Sequence, residues 1–206
     1  GDGSTTRRYL PVLVQFDTVA PTGSITINNG AQYTKSVNVT LNITATDSLT
    51  SVSEMCISNS TTCSSWQPYS TSPVLWTLPS GDGPKTVYVW FKDRIGNANL
   101  SPYQATITLD TGTPPEARAF QAFPHGSDAM LSWTEPASSD NSGIFGYKLV
   151  YGTGGPPAEY CVDGTELSVG QESYYIHAGL TNGTTYWYRL CVIDNAGNSS
   201  SGLITS

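Results

Sequence analysis

The sequence predicts an all-β protein made of two antiparallel β-sandwiches in series, with an additional strand at the N-terminal end. Only 12% of the 206 residues are charged, whereas Ser, Thr, Gly, Asn and aromatic residues are abundant, as in sandwiches with many turns. Short segments alternate apolar and polar residues, the period of half-buried strands. No window carries apolar residues at helical spacing.

Strands of the first half follow from this alternation. "VNVTLNITATD" places its apolar residues on one face, namely Val37, Val39, Leu41, Ile43 and Ala45. "KTVYVWFKD" is predicted to bury Val87, Val89 and Phe91 and to turn Tyr88 and Trp90 outward. The paired prolines of "DTGTPP" then block continued strand pairing, so this segment is predicted to be a linker.

Strands of the second half are "AMLSWTE", "FGYKLVY", "SYYIHAGL" and "TYWYRLCVID". The two halves share a motif after their penultimate strands, Asp93-Arg-Ile-Gly96-Asn97 and Asp194-Asn-Ala-Gly197-Asn198, with residue types that favour turns. The motif aligns the halves and matches Trp90 with Cys191. The predicted organisation is an extension over residues 1–17, one domain over 18–110 and a second over 111–206.

Four cysteines allow three pairings, and the pairing within each domain is favoured because both pairs can be local. It joins Cys56 to Cys63 across a hairpin connection, and Cys161 to Cys191. The alternative is four buried free thiols. Disulfides form in oxidising compartments, so this pairing predicts an extracellular or cell-surface protein.

The second half resembles a fibronectin type III domain. It has an opening proline pair, Trp133 in "LSWTEP", Tyr147 in "GYKLVY", and "LTNGTTYWYRLCVIDNAGNSS". In this last segment Leu180 and Tyr186 match the tyrosine corner of that family. The resemblance implies a seven-strand sandwich, with its last strand incomplete here, that serves as a spacer or binding module and not as an enzyme.

The first half is similar to the bacterial Ig-like repeats of large surface and secreted proteins. "EMCISN", "WQPY", "SGDGPKTVYVWFKDRIGN" and the terminal "LDT" carry this likeness. The Cys–Trp–Cys spacing of a true immunoglobulin domain is not present.

Charge and motifs exclude several functions. A net charge of −7 argues against nucleic acid or an anionic membrane as partner. No apolar run approaches the roughly 18 residues of a spanning helix. His125 and His177 are isolated, His177 is interpreted as structural, and no Ser–His–Asp set has motif support, so no catalytic residue and no enzyme activity is predicted.

The extra N-terminal strand suggests an assembly. "VLVQFDTVAPT" repeats the pattern of "TITLDTGTPP", which closes the first domain, and fewer residues follow Asn198 than separate Asn97 from Asp110. A strand carrying Leu10, Val12, Val14 and Phe16 is therefore predicted to complete the second domain of another copy. Repetition of this contact gives a pilus-like filament. The alternative is a fragment of a longer tandem array.

The predicted function is thus an extracellular structural subunit, whose partners are copies of itself or neighbouring domains of an array. A second hypothesis is an adhesin, or a carbohydrate-binding or spacer module of a larger secreted protein. The aromatic residues expected to face outward, Tyr88, Trp90 and Trp187, would favour it because sugar faces stack on aromatic rings.

No cofactor is predicted beyond structural calcium. Loops at one pole of each sandwich are expected to gather oxygen ligands from three segments, as Ca²⁺ requires. The first set is Asp17, Asp47, Asp93 and Asn97, and the second is Asp110, Asp140, Asp194 and Asn198. Turn capping alone is the competing interpretation. Sequons for N-glycosylation occur at Asn38, Asn42, Asn59, Asn99, Asn182 and Asn198.

Overall fold

The computed structural model describes residues 16–206, so the predicted donor-strand residues Leu10, Val12 and Val14 lie outside it. The described chain is built of β-strands, with short 3₁₀ turns at Asn28–Gly30 and Glu159–Cys161. The strands of the first half are β1 (Thr22–Ile27), β2 (Tyr33–Thr34), β3 (Asn38–Thr46), β4 (Val52–Ser58), β5 (Gln67–Pro68), β6 (Val74–Thr77), β7 (Gly83–Asp93) and β8 (Tyr103–Leu109). Those of the second half are β9 (Arg118–His125), β10 (Asp128–Thr134), β11 (Ile144–Gly152), β12 (Thr165–Leu167), β13 (Tyr174–His177), β14 (Trp187–Asp194) and β15 (Leu203–Thr205). The predicted all-β class is confirmed.

Each half forms its own pair of sheets. In the first sandwich a three-stranded sheet of order β1-β3-β6 faces a five-stranded sheet of order β2-β8-β7-β4-β5. The second sandwich has sheets of order β13-β10-β9 and β12-β11-β14-β15. All pairs are antiparallel except β2 with β8. Two separate cores result, one around Leu41 and Phe91 and one around Leu131 and Leu190.

The alternation of β7 buries Val87, Val89 and Phe91 completely, as predicted. The prediction that Trp90 faces solvent is wrong, since only 6% of it is exposed. Trp90 pairs across the ladder with Cys56 on the outer face of the sheet. Cys56 is joined to Cys63 by a disulfide, and the Tyr88 ring lies 6.4 Å from the Trp90 ring between centroids.

Both predicted disulfides are present, Cys56–Cys63 and Cys161–Cys191. In the second sandwich Cys191 packs with Cys161 and Val150 in a small buried cluster separate from the main core. Cys56 lies on β4, opposite Trp90 of β7, whereas Cys191 lies on β14 itself, at the position that the shared motif matches with Trp90.

The last strands of the two sandwiches differ in length. β8 pairs with β7 along the whole of Tyr103–Leu109, opposite Gly83–Val89. β15 pairs with β14 only at Leu203–Thr205, opposite Tyr188–Leu190. Within residues 16–206, none of the helices is long and apolar enough to cross a membrane.

Candidate metal centres at the entrances of the two sandwiches

Strand ends bring three aspartates together at one pole of each sandwich. In the first sandwich Asp17 precedes β1, Asp47 follows β3 and Asp93 ends β7. Each offers a carboxylate oxygen, and these oxygens lie within 4.8 Å of one another. We call this group the first cluster. It unites the segment that enters the sandwich with two loops of the sandwich itself.

The second cluster repeats this arrangement with Asp110, Asp140 and Asp194, again within 4.8 Å. Asp110 directly follows β8, so it belongs to the segment that connects the two sandwiches. Asp110 is fully buried and Asp194 is 1% exposed. Buried like charges at this separation repel one another strongly, and a cation is the ordinary means of compensating them.

Hydrogen bonds compensate much of the charge in the first cluster. Asp93 Oδ1 accepts from the backbone N–H groups of Ile95, Gly96 and Asn97 at 2.7–2.9 Å. Asp47 Oδ1 accepts from the N–H groups of Leu49 and Thr50. The Thr50 hydroxyl adds a bond to Asp17 Oδ2 at 3.0 Å, and so connects the entering segment to the loop.

Donors are fewer in the second cluster. Asp110 accepts from the N–H groups of Gly112 and Ser142, and Asp194 accepts from the backbone and side chain of Asn198. Asp140 accepts through Oδ1 from Gly143 N–H at 2.8 Å. This cluster therefore keeps more of its negative charge without a protein partner.

The carboxyl pKa values follow these surroundings. Hydrogen bonds from the Thr50 and Leu49 N–H groups hold the pKa of Asp47 below its ordinary value. Burial pushes the pKa of Asp93 upward, but the bonds from Asn97, Gly96 and Ile95 outweigh it, so that this pKa is lowered. Burial raises the pKa of Asp140, and the nearby charges of Asp110 and Asp194 act in the same direction.

Each cluster also contains a buried carboxylate oxygen with no hydrogen-bond partner among residues 16–206. These atoms are Asp47 Oδ2 and Asp140 Oδ2. Beside the second cluster, Ser142 is 4% exposed and its Oγ has no partner in the same part of the chain. Oxygens on opposite sides of a Ca²⁺ ion lie about 5 Å apart, because each Ca–O distance is about 2.3–2.6 Å. The spacing of both clusters suits such an ion.

The amide nitrogens of Asn97 and Asn198 connect the entering segments to the turns, and the prediction that these residues offer ligand oxygens stays a prediction. Asn97 Nδ2 donates to the backbone oxygen of Asp17 at 3.2 Å and to Asp93 Oδ2. Asn198 Nδ2 donates in the same way to the oxygen of Asp110 and to Asp194 Oδ2. Because both acceptors are oxygens, the nitrogen must face them, and each Asn fastens the entering segment to the turn.

Sequence reasoning missed Thr50, Ser142 and Glu116. The Glu116 carboxylate accepts from the hydroxyls of Ser200 and Ser201 and binds the segment after β8 to the second sandwich. Serine and threonine are so common in this chain that neither hydroxyl stood out. Glu116 has no motif around it, and only the folded chain brings it to Ser200.

Other residues that the sequence analysis singled out pack within the second sandwich or its surface. His177 Nδ1 lies 3.1 Å from the Tyr188 hydroxyl, and burial lowers the pKa of this histidine. The Tyr186 hydroxyl accepts from Thr181 N–H at 3.1 Å, next to Leu180, as in a tyrosine corner. Tyr88 and Trp187 are half-buried, so with Trp90 they do not form an open stacking surface.

Of the predicted glycosylation positions, Asn38, Asn59 and Asn182 are exposed and Asn42 is half-buried. The amides of Asn99 and Asn198 are engaged internally, Asn99 Nδ2 with the oxygen of Pro21 at 2.6 Å. Asn42 Nδ2 and Asn59 Nδ2 also donate, to Asn29 Oδ1 and to the Thr77 oxygen. Glycosylation stays a prediction, and the structure favours Asn38 and Asn182.

Comparison with known proteins establishes only the fold of this chain. No family model and no curated protein sequence matches this chain. A solved structure of the fibronectin(III)-like modules of Clostridium thermocellum CbhA is 12% identical, with a TM-score of 0.55, covering 87% of this chain and 90% of the other. Domains A168–A170 of titin are 17% identical with a TM-score of 0.54, covering 90% and 65%. The FN1–FN3 domains of chicken CNTN1 are 15% identical with a TM-score of 0.52, covering 91% and 67%. The chain thus has the fold of tandem fibronectin III or Ig-like sandwiches.

Proposed function

We propose that this chain is an extracellular structural module in which Ca²⁺ at the two clusters fixes each sandwich to the segment that enters it. In this proposal the domains are residues 18–110, a bacterial Ig-like repeat, and 111–206, a fibronectin type III domain, after an extension over 1–17. The module joins copies of itself end to end, or its neighbours in an array. The disulfides and the fold fit an extracellular protein.

One observation supports this most directly, the repetition of the same three-carboxylate cluster at both entrances. In each, one carboxylate belongs to the entering segment and two belong to the sandwich. A cation bound to all three would restrict rotation about the connection. Lys35 already makes a direct contact between the sandwiches, donating through Nζ to the Gly197 oxygen at 2.9 Å.

Calcium is preferred over magnesium because of the ligand set. Ca²⁺ accepts six to eight oxygens in irregular arrangements, whereas Mg²⁺ requires a near-ideal octahedron and retains several waters. The three carboxylates of a cluster come from three separate loops, which suits the more tolerant ion. Affinities of extracellular calcium modules lie at about 10⁻⁴–10⁻³ M.

Titration calorimetry of the metal-free 206-residue chain with CaCl₂ tests the proposal. We expect two bound ions, and one in the variants Asp194→Asn and Asp93→Asn, because an amide cannot replace a buried carboxylate. Glu172→Gln, which removes one exposed charge outside the clusters, is the control and should retain two. No heat of binding up to 10 mM Ca²⁺, or an equal response to Mg²⁺, would contradict the calcium function.

A further inference from the structure

We infer that a cleft of the second sandwich, between residues 135–139 and the start of β11, binds a neutral oligosaccharide. The lining of this cleft includes none of the six clustered aspartates, so the site is separate from the proposed calcium function. Three features of the cleft support the inference: its preformed shape, an accessible aromatic residue, and the uncharged polar groups beside that residue.

Three segments of the chain enclose the cleft. It is lined by residues 135–139, which follow β10, by the first four residues of β11, and by Gln171. Its volume is about 520 Å³, within the range of about 300–1,000 Å³ that is usual for ligand clefts. A site of this size suits a small ligand or a short segment of a chain-like one.

Contacts between the segments hold the cleft in shape. Gln171 Nε2 donates to the Phe145 oxygen at 3.0 Å, and the Tyr147 N–H donates to the Gly170 oxygen at 3.0 Å. A Cβ atom on Gly146 would lie 2.8 Å from that Gly170 oxygen, so glycine is needed for this close approach. Because the cleft is formed without a ligand, less ordering has to accompany binding.

A β-bulge places Phe145 at the cleft. Ile144 pairs with Asp194 and Gly146 pairs with Ile193, so Phe145 is an extra residue of β11 between these two pairs. Phe145 lines the cleft and is 61% exposed. An accessible aromatic ring in a cleft offers a surface on which the apolar face of a sugar ring can stack.

The polar groups of the cleft suit hydroxyl groups. Ser138, Ser139 and Gln171 line it, and their side chains can both donate and accept hydrogen bonds. Burial raises the pKa of Tyr147, and the charge of Glu135 acts in the same direction, so this phenol keeps its proton and can donate. Sugar hydroxyls also donate and accept, and therefore match the whole set.

The charges of the cleft disfavour other ligands. Among residues 16–206, no Lys, Arg or His lines it, and Glu135 is the one carboxylate that does. A phosphate or carboxylate ligand would meet this negative charge without a cation to bind. A single carboxylate also gives Ca²⁺ or Mg²⁺ too few ligands. An uncharged ligand is consistent with the remaining groups, which carry no charge.

Calorimetry of the 206-residue chain with cellotetraose, xylotetraose and mannotetraose tests the site, with Ca²⁺ present throughout. We expect at least one sugar to bind, and Phe145→Ala to weaken that binding about tenfold or more, because it removes the stacking surface. Phe123→Ala is the matched control, since it removes an exposed aromatic residue of β9 outside the cleft, and it should leave the affinity unchanged. No binding of the three sugars up to about 10 mM, or equal weakening in both variants, would overturn the inference.

Two further variants separate a sugar from a cationic ligand. Tyr147→Phe keeps the ring that packs against Trp133 and removes only the hydroxyl, so it should weaken sugar binding several-fold. Glu135→Gln should retain most of it, because an amide oxygen still accepts from a sugar hydroxyl. If pentalysine instead binds more tightly than every sugar, and Glu135→Gln abolishes its binding, the cleft is a site for cations and the inference is wrong.

Discussion

The first and second clusters each contain three aspartates in the same arrangement, but the groups that surround these aspartates differ. In the first, backbone N–H groups and the Thr50 hydroxyl occupy most of the carboxylate oxygens. In the second, the acids are more deeply buried and have fewer donors, and the pKa of Asp140 is raised. We therefore expect the number of hydrogen-bond donors, rather than the number of carboxylates, to set how strongly each cluster depends on a cation.

The largest expected effect is a difference in calcium stabilisation between the two sandwiches. At a calcium concentration 100 times the Kd, binding stabilises a domain by about 2.7 kcal/mol. We expect hydrogen exchange of the β14 amides to slow by about this amount and that of the β7 amides to slow less. Equal slowing in both strands would show that the surroundings of the clusters do not matter.

The next largest effect is expected in the pH dependence of stability, measured in the presence of a chelator. A change of pH acts on several carboxylates at once. Asp47 and Asp93 have lowered pKa values, so their stabilisation is present above the ordinary value of 3.8 and is lost as the pH falls through their folded pKa. Asp140 has a raised pKa, so its contribution is full below 3.8 and is lost as the pH rises through that pKa.

As the pH falls below 3.8 the metal-free first sandwich should therefore lose stability, whereas acidification toward pH 3.8 should favour the cluster of the second. Amide exchange in β7 and β14 follows the two separately. Asp140→Asn is the matched variant, because an amide has no charge to neutralise. If β14 in this variant responds to pH as in the unmodified chain, Asp140 is not the group responsible.

The smallest effect concerns one hydroxyl. Thr50→Val removes the bonds to Asp17 and Asp47 but keeps the side-chain shape, and it should destabilise the first sandwich by about 1 kcal/mol. Thr26→Val, on the exposed face of β1, is the control and should change little. The second sandwich should respond to neither in urea denaturation. An unchanged first sandwich would mean that the Thr50 bridge contributes nothing.

How far the sequence predicts this molecule depends on the feature. The aspartates of both clusters were predictable, because loops that follow known strands of a sandwich meet at known poles. The roles of Asn97 and Asn198 were not, since the direction of an amide depends on which atoms lie opposite it in the folded chain. The burial of Trp90 could not be predicted from the two-residue period of the strand, for a similar reason. Alternation tells which face a side chain occupies but not what later covers that face.

The disulfides also set how far each sandwich can lengthen under load. A force applied along the chain enters the second sandwich at Asp110, and unfolding would release its strands one after another. The bridge between Cys161 and Cys191 keeps 30 residues out of the path of the force. At roughly 3.3–3.6 Å per residue, the bridge prevents about 100 Å of contour length from extending. The Cys56–Cys63 bridge keeps only 7 residues from extending, so the second sandwich has the shorter extended length once both have unfolded.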